Sequence, residues 1–223
     1  MYGATKVAER AEPLMSGSPQ IEISIRSQGM STRLFLLRHG PTAAPKGCFV
    51  GGSDVPLSGQ GLSRLETLIR HLKEVDQWYC SPMLRTRQTL EQLRRNGCST
   101  NHPLHDARLR EIDFGRWEMK SFAEIASADG ELLEGWNQYL DFVFPEGEAV
   151  RDFTQRVREM LAVFVADDSE SIAVMTHGGI IRTMICLALG ISARNYLLFD
   201  VRPASLTVLE LFSEGGVLRS LNL

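Results

Sequence analysis

The sequence has few of the features that mark a secreted, a metal-binding or a membrane-spanning protein. Its 223 residues contain only four cysteines. These form no C-x-x-C pair, so we expect reduced thiols and a cytoplasmic location rather than a disulfide framework. No H-E-x-x-H pattern or Cys/His cluster supports a zinc site, and we expect no metal. No apolar run has the length of a membrane span, and we expect no secretory signal.

The sequence also lacks an excess of basic residues. Its formal net charge is −3, so neither nucleic acid nor an anionic membrane surface is expected as a partner. An anionic substrate would need positive charge gathered at one place. Hydrophobic residues make up 43% of the chain and charged residues 23%, which is typical of a globular domain with one core.

The composition of the chain changes near residue 30. Residues 1–29 mix Gly, Ser, Pro and charge without sustained periodicity, and we expect them to form a disordered leader. Met30 directly precedes the first strong strand pattern, which makes it an alternative start of translation. Residues 30–223 are expected to form a single domain.

Strand and helix patterns alternate through this domain. Short apolar runs at 33–37, 76–80 and 172–175 predict buried strands, and late strands are predicted near 205–211 and 217–221. Helices are predicted after Ser58, after Ser81-Pro82, over 150–164 and from 178 to about 190. This alternation predicts an α/β fold, with a mainly parallel sheet between two helical layers. The less periodic segment 112–145 is where we expect substrate specificity to be determined.

Arginine and histidine residues follow three of the predicted strands. Arg38 and His39 come directly after the first strand, and Arg85 begins the helix after the second. His177 and Gly178 follow the strand at 172–175. Each motif alone is more often structural, but ligands of α/β sheets bind at the carboxyl ends of strands, where these residues converge. Guanidinium groups, imidazoles and a helix-start N–H such as that of Gly178 together form a site suited to a phosphoryl group.

Six motifs in order along the chain resemble those of the histidine phosphatase superfamily, the phosphoglycerate mutase-like proteins. They are LRHGPT at 37–42, GGSDVPLS at 51–58, SPMLRTRQT at 81–89, LRE at 109–111 with GRWE at 115–118, PEGE at 145–148, and THGG at 176–179. The resemblance extends from Arg33 to near the C-terminus. It implies the three-layer, phosphoglycerate mutase-like α/β/α fold.

The resemblance also implies a mechanism that uses neither metal nor cofactor. It assigns catalytic roles to Arg38, His39, Arg85, Glu111 and His177, and substrate binding to Thr42, Gly51 and Gly178. His39 would attack phosphorus and carry the phosphoryl group. Glu111 would protonate the leaving oxygen and later accept a proton from water, although Asp113 and Glu118 in the same loop remain alternatives.

Within the family, the sequence favours hydrolysis over phosphoryl shuttling. Residues 43–46 read AAPK where mutases carry a Trp-Asn pair, and the chain is short for a mutase. It looks most similar to the bacterial α-ribazole phosphatase group, which removes the 5′-phosphate of α-ribazole during cobalamin assembly. The expected partner is a small-molecule phosphate ester, and a homodimer remains open. A phosphoglycerate mutase, another sugar-phosphate phosphatase and a non-catalytic binder of phosphorylated ligands remain alternatives.

Overall fold

A six-stranded mixed sheet forms the centre of the protein. In the computed structural model, residues 31–59 and 62–223 are described, so the predicted leader at 1–29 and Met30 lie outside the described residues. The strands are β1 (Thr32–Arg38), β2 (Gln77–Cys80), β3 (Leu104–His105), β4 (Ser171–Thr176), β5 (Leu206–Phe212) and β6 (Gly215–Ser220). Their order across the sheet is β3-β2-β4-β1-β5-β6.

The parallel part of the sheet carries the ends at which the motifs lie. Strand β4 pairs in parallel with both β1 and β2, and β2 pairs in parallel with β3. Arg38 at the end of β1 lies opposite Thr176 at the end of β4. Strands β5 and β6 add an antiparallel hairpin beside β1. The predicted α/β fold with a mainly parallel sheet is confirmed.

Helices cover both faces of this sheet. They are α1 (Arg64–Leu68), α2 (Leu84–Arg95), α3 (Phe122–Gly135), α4 (Val150–Ala166) and α5 (Gly178–Ala188). Short 3₁₀ turns lie at Ile69–His71, Ala107–Leu109, Gly115–Trp117, Trp136–Asp141 and Ala193–Leu198.

The strands alternate their side chains between two separate cores. Leu34 and Leu36 of β1 pack in the core that contains residues of α4 and α5, whereas Leu37 packs in the core with residues of α1 and α2. The same alternation divides Val174 from Met175 in β4. Because successive side chains of a strand point to opposite faces, both faces of the sheet are apolar and three layers result.

Two predicted helix starts are wrong. Helix α1 begins at Arg64, and the Ser58 hydroxyl donates to the carbonyl oxygen of Pro41 instead of capping it. Helix α2 begins at Leu84, where the carboxylate of Asp54 accepts the N–H of Leu84 over 2.5 Å. The hydroxyl of Ser81, the predicted cap, is hydrogen-bonded to a histidine ring of the candidate site described below.

The region between β3 and α4 is irregular and held by polar contacts. A capping box between Ser121 and Glu124 begins α3, and a non-helical Asp129 kinks it. The carboxylate of Asp129 accepts from the indole N–H of the fully buried Trp117 over 2.7 Å and from Arg116 over 2.6 Å. These bonds attach α3 to the loop that carries the predicted acid. The sequence predicts two helical pieces here, near 122–128 and 132–142, and the kink at Asp129 lies in the gap between them.

No helix among the described residues is long and apolar enough to cross a bilayer. All four cysteines are free thiols, and three of them are buried.

Candidate active site

The predicted arginines and histidines meet at the carboxyl ends of three neighbouring parallel strands. His39 follows β1, His177 follows β4, and Arg85 lies in the first turn of α2 after β2. The backbone N–H of His39 donates to the carbonyl oxygen of Thr176 over 3.0 Å, which joins the ends of β1 and β4. The two imidazole rings lie edge to face, with centroids 5.1 Å apart. The convergence expected from the sequence is therefore present.

The imidazole of His39 is a neutral ring whose Nε2 carries the lone pair. Its Nδ1 lies 2.7 Å from the carbonyl oxygen of Gly40, which can only accept, so Nδ1 bears the hydrogen. Burial, followed by the positive charges of Arg85 and Arg38, lowers the pKa of His39 to about 3. An unprotonated Nε2 at neutral pH has the properties that a nucleophile needs.

His177 is held in the opposite tautomer. Arg85 donates from Nε to Nδ1 of His177 over 3.2 Å, so this nitrogen accepts and Nε2 bears the hydrogen. The Nε2–H in turn donates to the Ser81 hydroxyl over 2.8 Å. Burial, followed by nearby positive charge, lowers the pKa of His177 well below its usual range. The ring is thus fixed and neutral beside His39.

Arg85 connects this histidine to the loop before α1. Its side chain is fully buried, and it donates from Nη1 to the carbonyl oxygen of Ser53 and from Nη2 to that of Gly51, each over 2.8 Å. A guanidinium has five N–H groups, so Arg85 retains donors beyond the three bonds described here. Burial lowers the pKa of Arg85, and the carboxylate of Glu111 opposes this effect.

The loop at 51–53 is fixed by the carboxylate of Glu118. This carboxylate accepts the backbone N–H groups of Gly51, Gly52 and Ser53 over 2.7–3.3 Å. A Cβ on Gly51 would lie 1.8 Å from the carbonyl oxygen of Ile112, so no side chain fits there. Glycine at position 51 is therefore explained by close backbone packing.

Arg38 presents an unused donor at the end of β1. Its Nη1 donates to the carbonyl oxygen of Val201 over 2.5 Å, whereas its buried Nε has no partner among the described residues. A Cβ on Gly178 would lie only 3.1 Å from Nε and Cζ of Arg38, so glycine allows the start of α5 to approach the guanidinium. An oxyanion placed there would satisfy Nε and the positive end of the helix together.

A cavity of about 820 Å³ opens over this end of the sheet. Its walls include the predicted residues Arg38, His39, Thr42, Glu111 and Gly178. Among the described residues, the charged side chains that line it are Arg38, Lys46 and Arg182 against the single carboxylate of Glu111. Positive charge is therefore concentrated here in a protein whose formal net charge is −3.

Of the three candidate carboxylates, only Glu111 lines this cavity in the described part of the chain. It accepts from the N–H of Gly179 at the start of α5 over 2.9 Å and from that of Ile112 over 3.2 Å. The carboxylate of Asp113 accepts the N–H of Gly115 over 2.8 Å, and that of Glu118 is held by the loop at 51–53. The geometry thus favours Glu111 for proton transfer.

The loop that carries Glu111 is fastened by Arg156 of α4. Its guanidinium donates to the backbone carbonyl oxygens of Arg108, Arg110 and Glu111 over 2.6–3.2 Å. It also forms a two-pronged ion pair with Glu148, with distances of 2.7 and 2.8 Å. A planar fork bonded at both ends restricts where the Glu111 carboxylate can lie.

Comparison with known protein families decides the identity of this arrangement. Residues 34–223 match the model of the histidine phosphatase superfamily (branch 1). The chain belongs to this superfamily. The match covers both histidine motifs, the Arg85 helix and the Glu111 loop, so the family suggested by the sequence motifs is confirmed.

The relatives of this histidine phosphatase include proteins named for different reactions. It is 28% identical to an adenosylcobalamin/α-ribazole phosphatase from Salmonella typhimurium, over 85% of this chain and 96% of the relative. It is 27% identical to a 2,3-bisphosphoglycerate-dependent phosphoglycerate mutase from Rhizobium etli, over 86% of this chain and 97% of the relative. The crystal structure of the α-ribazole phosphatase from Shigella flexneri superposes with a TM-score of 0.74 at 26% identity, covering 86% of this chain and 96% of that one. The family and its phosphatase members support phosphatase activity.

The predicted residues of the histidine phosphatase occupy two layers. Arg38, His39, Thr42, Glu111 and Gly178 line the cavity, whereas Arg85, His177 and Gly51 lie behind it. The N–H and the carbonyl oxygen of Gly51 are already bonded to Glu118 and Arg85. The roles assigned to these residues stay predictions. Among the described residues no group of three or more His, Cys, Asp or Glu side chains is arranged to hold a metal ion.

Two cations of the cavity, Arg182 and Lys46, are not among the residues predicted from the sequence. Arg182 lies four residues after Gly178 in α5, on the same face of the helix, and donates from Nε to the carbonyl oxygen of Phe199 over 2.9 Å. As the only charged residue inside an apolar helix, it could have been found by helical periodicity. Lys46 lies in an irregular loop, and no pattern in the sequence indicates its position.

Proposed function

We propose that this histidine phosphatase hydrolyses a small phosphate monoester through a phosphohistidine formed on His39. The observation that carries the proposal is that one cavity is lined both by a neutral His39 and by Arg38, whose Nε–H has no partner among the described residues. The first is suited to attack phosphorus, and the second is suited to bind one of its oxygens.

In the first step, Nε2 of His39 forms a bond to phosphorus and the ester P–O bond breaks. Glu111 donates its proton to the leaving oxygen, which departs as the alcohol. In the second step, water attacks the phosphohistidine while Glu111 takes its proton, and the N–P bond breaks to release inorganic phosphate. The cycle returns His39 and Glu111 to their starting forms, and each step transfers one proton.

Charge stabilisation in this proposal comes from the protein itself. Arg38 and the N-terminus of α5 line the cavity, Arg85 retains N–H groups that are predicted to reach the phosphoryl oxygens from behind, and the ring of His177 holds Arg85 in place. Such preorganised donors stabilise the charge that develops during phosphoryl transfer. We therefore propose that hydrolysis requires no metal ion and no cofactor.

α-Ribazole 5′-phosphate is the substrate that we propose first. Its support is the similarity to α-ribazole phosphatases over most of the chain. The proposal includes a cytoplasmic location, for which the support is the free state of the four cysteines.

The test is phosphate release from a panel of monoesters in the presence of EDTA. The panel contains α-ribazole 5′-phosphate, 3-phosphoglycerate and fructose bisphosphates. We expect metal-independent release, loss of release in His39→Ala, and unchanged release in His105→Ala, a matched variant of an exposed histidine. Enzyme quenched in alkaline detergent is expected to carry phosphate that is stable in alkali and lost in acid, and only when His39 is present. Release that persists in His39→Ala would contradict the mechanism.

A separate assay distinguishes hydrolysis from phosphoryl shuttling. A mutase primed with 2,3-bisphosphoglycerate would convert 3-phosphoglycerate to its 2-phospho isomer without releasing phosphate. We expect no such conversion, because the loop at 43–46 lacks the Trp-Asn pair of the mutases. Isomerisation faster than phosphate release would replace the proposal with the mutase activity.

A further inference from the structure

A second, smaller cavity adjoins the one that contains His39. It has a volume of about 230 Å³ and shares Phe49, Glu111, Phe114, Gly179 and Arg182 with the larger cavity. Since Glu111 is the proposed proton donor to the leaving oxygen, this second cavity lies on the side where the alcohol portion of the ester departs. We call it the aromatic cavity.

Aromatic rings from separate segments form its walls. They include Phe49, Phe114, Trp136, Tyr139 and Tyr196. Phe49 lies edge to face with Phe114 at 5.0 Å and packs against Trp136 at 5.7 Å, whereas Tyr139 stacks on Tyr196 at 4.6 Å between centroids. Rings that already pack on one another in this way form a preshaped slot for a further ring.

The aromatic cavity offers little to a charged group. Beyond Glu111 and Arg182 at the shared border, its described walls carry no acidic or basic side chain. Burial raises the pKa of Tyr196 to about 12, so its phenol stays neutral. A carboxylate placed beyond this border would lose its hydration without gaining a charged partner among the described residues.

One polar group of the walls is unused. Trp136 lines the cavity, and its buried indole Nε1–H has no partner among the described residues. Buried indole N–H groups usually find an acceptor. A ring nitrogen or oxygen of a bound molecule would supply one.

We propose that the aromatic cavity receives an uncharged aromatic or heteroaromatic group carried by the alcohol portion of the phosphate ester. The inference rests on the proposed function, because Glu111 orients the ester between the two cavities. Its size is suitable, since an apolar cavity of about 150 Å³ already accommodates benzene. Esters of small charged alcohols, such as phosphoserine, are expected to be poor substrates.

The experiment compares 2-phenylethyl phosphate with propyl phosphate. Both are esters of unactivated primary alcohols, so the ratio of their kcat/KM values reports the contribution of the ring. We expect 2-phenylethyl phosphate to be preferred by at least about tenfold. Equal kcat/KM values, with turnover that depends on His39, would contradict binding of the ring in the aromatic cavity. The proposed phosphatase activity would be unaffected by that result.

A matched pair of surface variants locates the effect. Leu197 lies at the rim of the cavity and is 68% exposed, whereas its neighbour Leu198 is 75% exposed and outside the cavity. Leu197→Glu is expected to reduce the ratio severalfold, and Leu198→Glu to leave it unchanged. A ratio that does not respond to Leu197→Glu, or that responds equally to both, would contradict the placement.

Measuring the affinity of ligands that cannot be hydrolysed tests the aromatic cavity independently of phosphatase activity. Calorimetry with 3-phenylpropylphosphonate and propylphosphonate, which cannot be hydrolysed, is expected to show at least about tenfold tighter binding of the first. If no ester is turned over but this preference holds, the phosphatase proposal fails and the aromatic cavity stands. Equal affinities would overturn the aromatic cavity.

The Trp136 donor has its own variant. Trp136→Phe keeps an aromatic wall and removes the N–H. It is expected to weaken the use of 2-pyrazinylethyl phosphate, whose ring nitrogens accept, relative to 2-phenylethyl phosphate. If the ratio of the kcat/KM values of these two esters is unchanged in Trp136→Phe, the indole N–H does not donate to the bound ring.

Discussion

The strand-end cluster (Arg38, His39, Arg85 and His177) and the aromatic cavity are built in contrasting ways. Each side chain of the cluster lies at or after the carboxyl end of a strand of the parallel sheet and is held by a hydrogen bond to a backbone carbonyl or to another side chain. Most walls of the aromatic cavity come from the loop at 49, the irregular segments at 111–114 and 136–144 and the 3₁₀ turn at 193–198, with Phe153 of α4 and Gly179 and Arg182 of α5 completing it. Regular structure thus positions the chemistry, and irregular segments shape the space for the alcohol portion.

Backbone conformation shows the same contrast. Tyr139, a wall of the aromatic cavity, has φ of 24°, which is unusual for a residue with a side chain. Gly115, with φ of 55°, lies where a Cβ would come within 2.1 Å of the carbonyl oxygen of Pro145. The strand-end cluster contains no positive φ. We infer that replacements in the cluster impair all esters alike, whereas replacements around the cavity change the choice among them.

After the loss of release in His39→Ala, the largest effect on activity is expected for Arg38→Ala. Loss of its guanidinium removes a preorganised donor, and kcat/KM should fall by about 10²–10³-fold for every ester. Arg33→Ala, an exposed arginine of the same strand, is the control and should be close to wild type. Steady-state kinetics on several esters measures both. A loss of kcat/KM confined to esters with aromatic rings would contradict the division of roles between the strand-end cluster and the aromatic cavity.

A smaller effect, dependent on the leaving group, is expected for Glu111→Gln, at the border of the two regions. Turnover of alkyl esters should fall by about 10²-fold because their leaving oxygen needs a proton, whereas 4-nitrophenyl phosphate should be much less affected. Phosphate binding should be retained. The control is Glu146→Gln, a carboxylate whose side chain is 73% exposed. Full activity of Glu111→Gln on alkyl esters would move the acid to a neighbouring carboxylate.

Arg156→Ala tests whether positioning of the Glu111 loop matters to the chemistry. We expect kcat on alkyl esters to fall by about tenfold, with a weaker effect on 4-nitrophenyl phosphate. This is the same dependence on the leaving group as in Glu111→Gln, but of smaller size. Arg158→Ala, an exposed arginine of α4, provides the control. An equal loss with both leaving groups would indicate a general structural defect instead.

An effect of a different kind is expected in stability and not in turnover. Because the pKa of His39 is lowered to about 3 in the fold, the unfolded chain binds a proton between about pH 6.5 and 3 that the folded protein does not. Stability should therefore fall as the pH falls through this window, by up to about 1.4 kcal/mol per pH unit for this group. His177 acts in the same direction.

Urea unfolding at pH 7 and pH 5 measures this dependence. His39→Gln should weaken it, whereas His105→Gln, at an exposed position, should leave it unchanged. An identical pH dependence in wild type and His39→Gln would show that burial of the neutral ring contributes nothing to it.

Much of the fold could be predicted because its elements carry strong periodic patterns. The apolar runs of β1 and β4 and the helical spacing in α4 identify these elements, and the structure places them within one or two residues of the prediction. The starts of α1 and α2 could not be predicted. The hydroxyl groups of Ser58 and Ser81 bond to Pro41 and His177, and Asp54 accepts the N–H of Leu84 at the start of α2; all these contacts join residues that are distant in the chain.

The sequence by itself determined the α/β class, the family and the convergence of Arg38, His39, Arg85 and His177, because strand ends and motif order are local properties. The leader at 1–29, the oligomeric state and the location in the cell stay predictions. Only the tertiary structure decided that Glu111 and not Glu118 faces the cavity, that Arg182 adds positive charge, and that aromatic rings enclose a second cavity. The physical reason is that these features depend on side-chain packing between segments that are far apart in sequence, which no local pattern encodes.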